Sequence, residues 1–170
     1  MIDNLTPAKN EILGDLDELN SFLGLAKSFT VCDDQAQLLT KIQNSLFLIQ
    51  AEIADVAGKV ITPSKIRRED ILFIESKTVE MERELSELDH FIVPEGHQLA
   101  CVLHVARTIA RRVERKLWPH KYHHRDLICY LDRIACLLFD MARLVNQQNG
   151  FQEKPPAYYG RYLSERREAR

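Results

Sequence analysis

The sequence predicts an all-α protein, a five-helix antiparallel bundle, and three observations predict it. Apolar residues recur at steps of three and four along five separate stretches, the spacing that keeps them on one side of a helix. Each stretch runs for roughly 17 to 24 residues and is joined to the next by a short connector, the arithmetic of a bundle. No segment alternates apolar and polar residues convincingly enough to be a strand, and no internal repeat or low-complexity tract appears.

The first helix opens at Thr6-Pro7, with threonine as N-cap and proline at the first helical position. Ile12, Leu16, Leu19, Leu23 and Ala26 form its stripe, and Asp15, Asp17, Glu18, Asn20 and Ser21 its polar face. It ends before Asp33-Asp34, which are expected to cap the second helix, Gln35 to Ala57. There Leu39, Ile42, Leu46, Ile49, Ile53 and Val56 make a bundle seam, and Gly58 stops it. After a loop over 59–65, a third helix is expected from Arg67 to Leu88. Ile71, Ile74, Thr78, Met81, Leu85 and Leu88 define it, with a charged outer face.

Residues 89–95 break the pattern, with Pro94 and Gly96 closing the loop. Phe91, Ile92 and Val93 are large and apolar inside it, so the loop is either tucked into the core or lines a pocket. The fourth helix, Leu99 to Leu117, ends near Trp118-Pro119. A basic connector, His120 to Arg125, leads to the fifth, Asp126 to Asn149, whose stripe is Leu127, Tyr130, Leu131, Ile134, Leu137, Leu138, Met141 and Leu144. Gly150 ends it. The expected organisation is one bundle domain over 1–150 and a tail over 151–170.

At 170 residues the chain can bury a real core. With 45% hydrophobic and 28% charged residues it reads as soluble and globular. A net charge of −2 exerts no global pull on nucleic acid, and only Trp118 and Tyr122 could interleave with bases, so no nucleic-acid partner is expected. No apolar run approaches the roughly 20 residues of a membrane span, and the N-terminus has no signal-peptide core. Cys32, Cys101, Cys129 and Cys136 lack CxxC spacing. The last three lie in helical patterns and read as free and mostly buried, which points to a reducing cytoplasm.

The fourth helix carries the chemistry. Leu99, Val102, Ala106, Ile109, Ala110, Val113 and Leu117 form its apolar stripe, and Arg107, Arg111 and Glu114 run along one shoulder at i, i+4 and i+7. Arginines there have their stems in the core and their guanidinium groups at a rim. Two such forks one turn apart can grip a polyphosphate; alternatively, Arg107, Arg111 and Glu114 form a solvated face paired within itself. Arg111, Arg112, Arg115, Lys116, Lys121 and Arg125 make a local positive patch. His120, His123 and His124 with Cys129 fit no tetrahedral zinc spacing, and no metal ligands are assigned.

Several of these segments resemble one family. GDLDELNSFLGLA (14–26) and IQNSLFLIQAEIA (42–54) look like the first and second helices of the PduO-type ATP:cobalamin adenosyltransferases. FIVPEG (91–96), LHVARTIARRVERK (103–116) and YLDRIACLLFDMARLVN (130–146) resemble their loop, fourth helix and fifth helix. Order and spacing agree over roughly residues 12 to 148. The FIVPEG loop followed by HVARTIARRVER is the specific part.

The resemblance implies a homotrimer with active sites between subunits, where ATP, Mg²⁺ and a reduced cobalamin substrate meet. Cobalt(I) attacks the 5′ carbon of ATP and triphosphate leaves. Arg107 and Arg111 match the family's triphosphate arginines, Glu114 the acid that orients an arginine or the metal, and Asp17 the first-helix carboxylate that pairs with Arg107. Phe91 matches the aromatic wall beneath the corrin ring that excludes water and the lower axial ligand. Asp132 falls among the ATP-binding positions but replaces the family's asparagine; it would repel phosphate unless Arg133 or Mg²⁺ intervenes. Cys136 replaces an aspartate. The family's opening TxTGDxG-type segment has no counterpart in residues 1–13, so a variant without that loop, or a truncated form, is expected, its phosphate grip resting on the helix arginines. Two other readings stand beside the enzyme: a catalytically impaired homologue that binds a corrinoid or nucleotide, and a structural helical oligomer.

Overall fold

The computed structural model describes residues 7–54, 65–120 and 124–158. Among them are five α-helices and no strand: α1 (Pro7–Phe29), α2 (Asp33–Ala54), α3 (Arg68–Glu82), α4 (Gln98–Leu117) and α5 (Arg125–Gln148), with a 3-10 turn at Trp118–His120 after α4. Proline opens α1 as expected; its expected cap, Thr6, lies outside the described residues, as do Val56, Ala57 and Gly58 at the end expected for the second helix. Asp33 and Asp34 form the first turn of α2 rather than its caps. Carboxylates there face the positive end of the helix dipole, which favours starting the helix two residues early.

The third helix is shorter than its periodicity implies, ending at Glu82 instead of Leu88. The carbonyls that would continue it are taken by side chains of α5: Gln147 Nε2 donates to Glu84 O at 2.8 Å and Arg143 Nη2 to Ser86 O at 2.9 Å. Tertiary hydrogen bonds displace the helical ladder, and the chain turns out toward the loop that carries Phe91.

In packing order, α2 lies beside α1, α1 beside α4, α4 beside α5 and α5 beside α3. Successive helices alternate in direction. Along α1 and α4, for example, Glu11 meets Lys116 while Glu18 meets Arg112. As that alternation requires, α3 and α5, two apart in the chain, pack side by side and run parallel, Glu75 meeting Arg133 toward one end and Glu84, just past α3, meeting Gln147 toward the other.

Every residue of the predicted α5 stripe is buried, and so are Ile128, Ala135, Asp140, Ala142, Arg143, Val145 and Asn146, because α5 is flanked by both α4 and α3. Leu16, Leu19, Leu23, Leu39, Ile42, Leu46 and Ile74 complete the core with no exposed surface. All four cysteines are free, but Cys136 is exposed and Cys101 and Cys129 only half-buried. The expectation of burial fails for Cys136, which falls just off the α5 stripe, between Ala135 and Leu137.

Candidate functional site

The shoulder of α4 behaves as its spacing implies, yet its two arginines serve two separate hollows. Arg107 opens into one of about 500 Å³, lined with Leu88, His90, Phe91, Ile92 and Phe139. Arg111 opens into one of about 750 Å³, with Glu114, Trp118, Arg125, Ile128 and Asp132. The first is lined mainly by hydrocarbon and aromatic side chains, with the Asp89–His90 pair among them; the second carries two cations and two carboxylates.

Phe91 is 77% exposed. It is therefore no plug under the loop but part of a wall, and of the two possibilities open for this loop the pocket is the one realised. Phe139 stands in the same hollow. Sequence reading missed it because it lies just off the α5 stripe, beside Leu138; its signal was a large aromatic next to a fully buried position. The Arg107 guanidinium carbon sits 5.7 Å from the Phe139 ring centre, a cation–π contact. Its Nε is buried and has no hydrogen-bond partner among the described residues. Burial, reinforced by the neighbouring charge of Arg111, holds its pKa below the usual arginine value.

Arg111 is bound differently. Its Nη1 lies 2.6 Å from Glu114 Oε2 and 2.6 Å from Asp132 Oδ1. Burial pushes the Glu114 carboxyl up, against the opposing pull of Arg111. Asp132 Oδ2 lies 3.6 Å from Arg133 Nη1, and Arg133 reaches on to Glu75 at 3.0 Å. The internal pairing set against the phosphate grip is thus realised for Arg111 and Glu114, and not for Arg107.

Asp17 does not meet Arg107 within this chain. It is exposed and makes no ion pair among the described residues. The link between α1 and α4 exists, but through Asp15 and Glu18 to Arg112 and through Glu11 and Asp15 to Lys116. Two residues along a helix turn the side chain by about 200°, so once Asp15 faces α4, Asp17 must face away. The same pairs neutralise much of the expected positive patch. Lys121 and His123 lie outside the described residues, and among the described residues no group of three His, Cys, Asp or Glu side chains is placed to hold a metal ion.

His104, one turn before Arg107 on α4, lies at i−3 from Arg107 and i−7 from Arg111, a polar residue on a buried face that periodicity does not single out. It is 4% exposed, its ring 6.0 Å from that of Phe139, and neither ring nitrogen has a partner among the described residues. Burial, helped by the charge of Arg107, pushes its pKa down to about 4 from 6.5. The unfolded chain binds a proton there near pH 6.5 and the folded one only near 4. This contribution to stability is therefore complete above pH 6.5 and lost as pH falls toward 4, by about 3 kcal/mol at most. Asp140, pushed up to about 6 mainly by burial, acts in the opposite sense. The test is a comparison: between pH 7 and pH 4.5 the wild-type protein should lose more unfolding free energy than His104→Phe. Equal losses would remove His104 from the account.

The described residues thus form a helical bundle of the class whose site lies along one arginine-bearing helix, here serving an aromatic hollow and a charged one. Residues 7–145 match the family model for cobalamin adenosyltransferases. The corrinoid adenosyltransferase of Bacillus subtilis (strain 168) is 37% identical over 148 residues, covering 82% of this chain and 75% of the relative. That of Mycobacterium tuberculosis (strain H37Rv) is 31% identical, covering 88% and 82%. A variant PduO-type ATP:corrinoid adenosyltransferase from Lactobacillus reuteri, complexed with cobalamin and ATP, superposes with a TM-score of 0.79 at 26% identity, covering 92% of this chain and 90% of that one. The chain belongs to the cobalamin adenosyltransferase family.

Proposed function

We propose that the protein transfers the 5′-deoxyadenosyl group of ATP to cobalt(I) of a corrinoid, with Arg107, Arg111, Glu114, Asp132, Phe91 and Asp17 as its site. Cobalt(I) supplies the electron pair for the new cobalt–carbon bond, the C5′–oxygen bond breaks, and triphosphate leaves with the pair of that broken bond. The observation that carries this reading is that one shoulder of α4 serves two hollows, Arg107 lining the aromatic one and Arg111, one turn on, the charged one.

The charged hollow accounts for the leaving group. Arg111 and Arg125 line it and would receive the triphosphate, whose charge grows as the bond breaks; donors set there beforehand lower the barrier. The aromatic hollow accounts for the metal centre. Phe91 and Phe139 would face the corrin, displace water and offer no donor atom of their own to the lower axial position of cobalt. Arg107, half-buried and without an ion pair among the described residues, would offer its guanidinium to a phosphate oxygen. Mg²⁺ needs only one or two protein carboxylates when it arrives with a nucleotide, and Glu114 would supply one; bound there it offsets phosphate charge. Asp17, turned outward, is free to meet an arginine of a neighbouring subunit in a homotrimer. The four free cysteines accord with a reducing, cytoplasmic setting, and no helix among the described residues is long and apolar enough to cross a membrane.

Incubation with chemically reduced cobalamin, Mg²⁺ and ATP should yield adenosylcobalamin, read from its absorption spectrum. Absence of both product and corrinoid binding would end this reading. Sedimentation should give a mass three times that of the chain.

One observation favours the impaired-homologue alternative: Arg111 is already answered by two carboxylates. Asp132→Asn keeps the shape, frees the guanidinium and removes a negative charge from the phosphate site. Calorimetry should find MgATP bound about two- to fivefold more tightly, the scale of a partly exposed ion pair. Weaker binding would mean that Asp132 assists the nucleotide.

A further inference from the structure

Phe91 lines the hollow, is 77% exposed and is itself held by little. A side chain so placed can form a fixed wall only if its backbone is fixed, and the structure shows what fixes it. Asn146 on α5 is 3% exposed and spends its whole amide on the end of the loop. Nδ2 donates to Glu95 O at 2.9 Å and Oδ1 accepts from His97 N at 2.9 Å. Its backbone carbonyl accepts from Phe151 N at 2.9 Å.

Gly96 lies between the two loop contacts with φ +119°, and a Cβ there would come within 2.2 Å of Asn146 Oδ1. The loop approaches the amide this closely only because position 96 has no side chain.

One turn earlier on α5, Arg143 secures the other end. It is 6% exposed, its Nε pairs with both carboxylate oxygens of Glu153 at 3.0 and 3.1 Å, and Nη2 holds Ser86 O at 2.9 Å. Residues 151–154 close the frame: Val93 N donates to Lys154 O at 2.9 Å, and Lys154 Nζ lies 3.5 Å from Glu95. Phe139, Arg143 and Asn146 follow at i, i+4 and i+7, so one face of α5 supplies both an aromatic wall and the two clamps that set its opposite number.

We propose that Asn146 and Arg143 are positioning residues: without touching substrate, they set the place of Phe91 relative to Phe139, and so the width of the slot offered to the corrin. This rests on the corrinoid reading of the hollow. A merely structural clamp would lower stability and leave the two substrates equally affected. A positioning clamp acts through Phe91 and on one substrate.

The test uses Asn146→Asp, which keeps the acceptor for His97 and loses the donor to Glu95, and Arg143→Lys as a second variant. Each is made in the wild type and beside Phe91→Ala, with corrinoid and ATP varied separately. Expected is a drop of about tenfold or more in kcat/KM for the corrinoid, the scale of a misplaced binding wall, with KM for ATP within about twofold. Beside Phe91→Ala the same substitutions should add almost nothing, because the residue they act through is gone. Equal effects on both substrates, or an undiminished effect beside Phe91→Ala, would overturn the proposal. If Asn146→Asp does not fold, Arg143→Lys decides. An inactive wild type that binds no corrinoid would instead defeat the functional reading itself.

Discussion

Replacing Arg107 with alanine should lower turnover by about 10²- to 10³-fold, the range for losing one preorganised donor at a developing charge. The fold should survive. Arg107 is half-buried at the rim, makes no ion pair among the described residues, and packs its guanidinium toward Phe139. Its removal therefore leaves no buried carboxylate unpaired, and the unfolding free energy should stay within about 1 kcal/mol. Lysine should restore little. It keeps the charge but lacks the planar fork and the side-on contact with the ring. The measurement is the initial rate of adenosylcobalamin formation, set against a urea unfolding curve. Activity that fell only in proportion to the folded fraction would make Arg107 structural and refute the assignment.

Leu138→Ala should have the largest effect on stability, about 2 to 5 kcal/mol, the cost of a core leucine truncated where neighbours cannot collapse. Leu138 has no exposed surface and lies on α5, the helix flanked by both α4 and α3. Since small domains hold only about 5 to 15 kcal/mol in total, a large share of the reserve goes with one side chain. Leu25→Ala, at a position 44% exposed on α1, should cost well under half as much. Urea midpoints of the two variants check this. Similar losses would mean that α5 is not the centre of the core.

Helix existence was legible because the apolar stripes are long and regular. Tyr130, Leu131 and Ile134 announce α5 without help from any other part of the chain. The α3 boundary was not legible, because Leu85 and Leu88 continue the period while Arg143 and Gln147, some sixty residues away, claim the carbonyls a helix would use. Among site residues, the shared shoulder of Arg107 and Arg111 follows from a spacing of four. That Arg111 is answered by Asp132 does not, since the pair spans two helices. His104 and Asn146 were invisible for a different reason: each is a polar residue on a buried face, and periodicity reads such positions as exceptions to be averaged away.

By itself the sequence determined five helices, their inward faces and the row of arginines on the fourth, because helical periodicity is a local property written every three or four residues. Only the tertiary structure decided that Asp15 rather than Asp17 faces α4, that Arg107 and Arg111 serve separate hollows, and that the Phe91 loop hangs from Asn146. Those outcomes depend on how helices are rotated and stacked against one another, and a rotation of one residue, about 100°, is enough to move a carboxylate from an interface to open water.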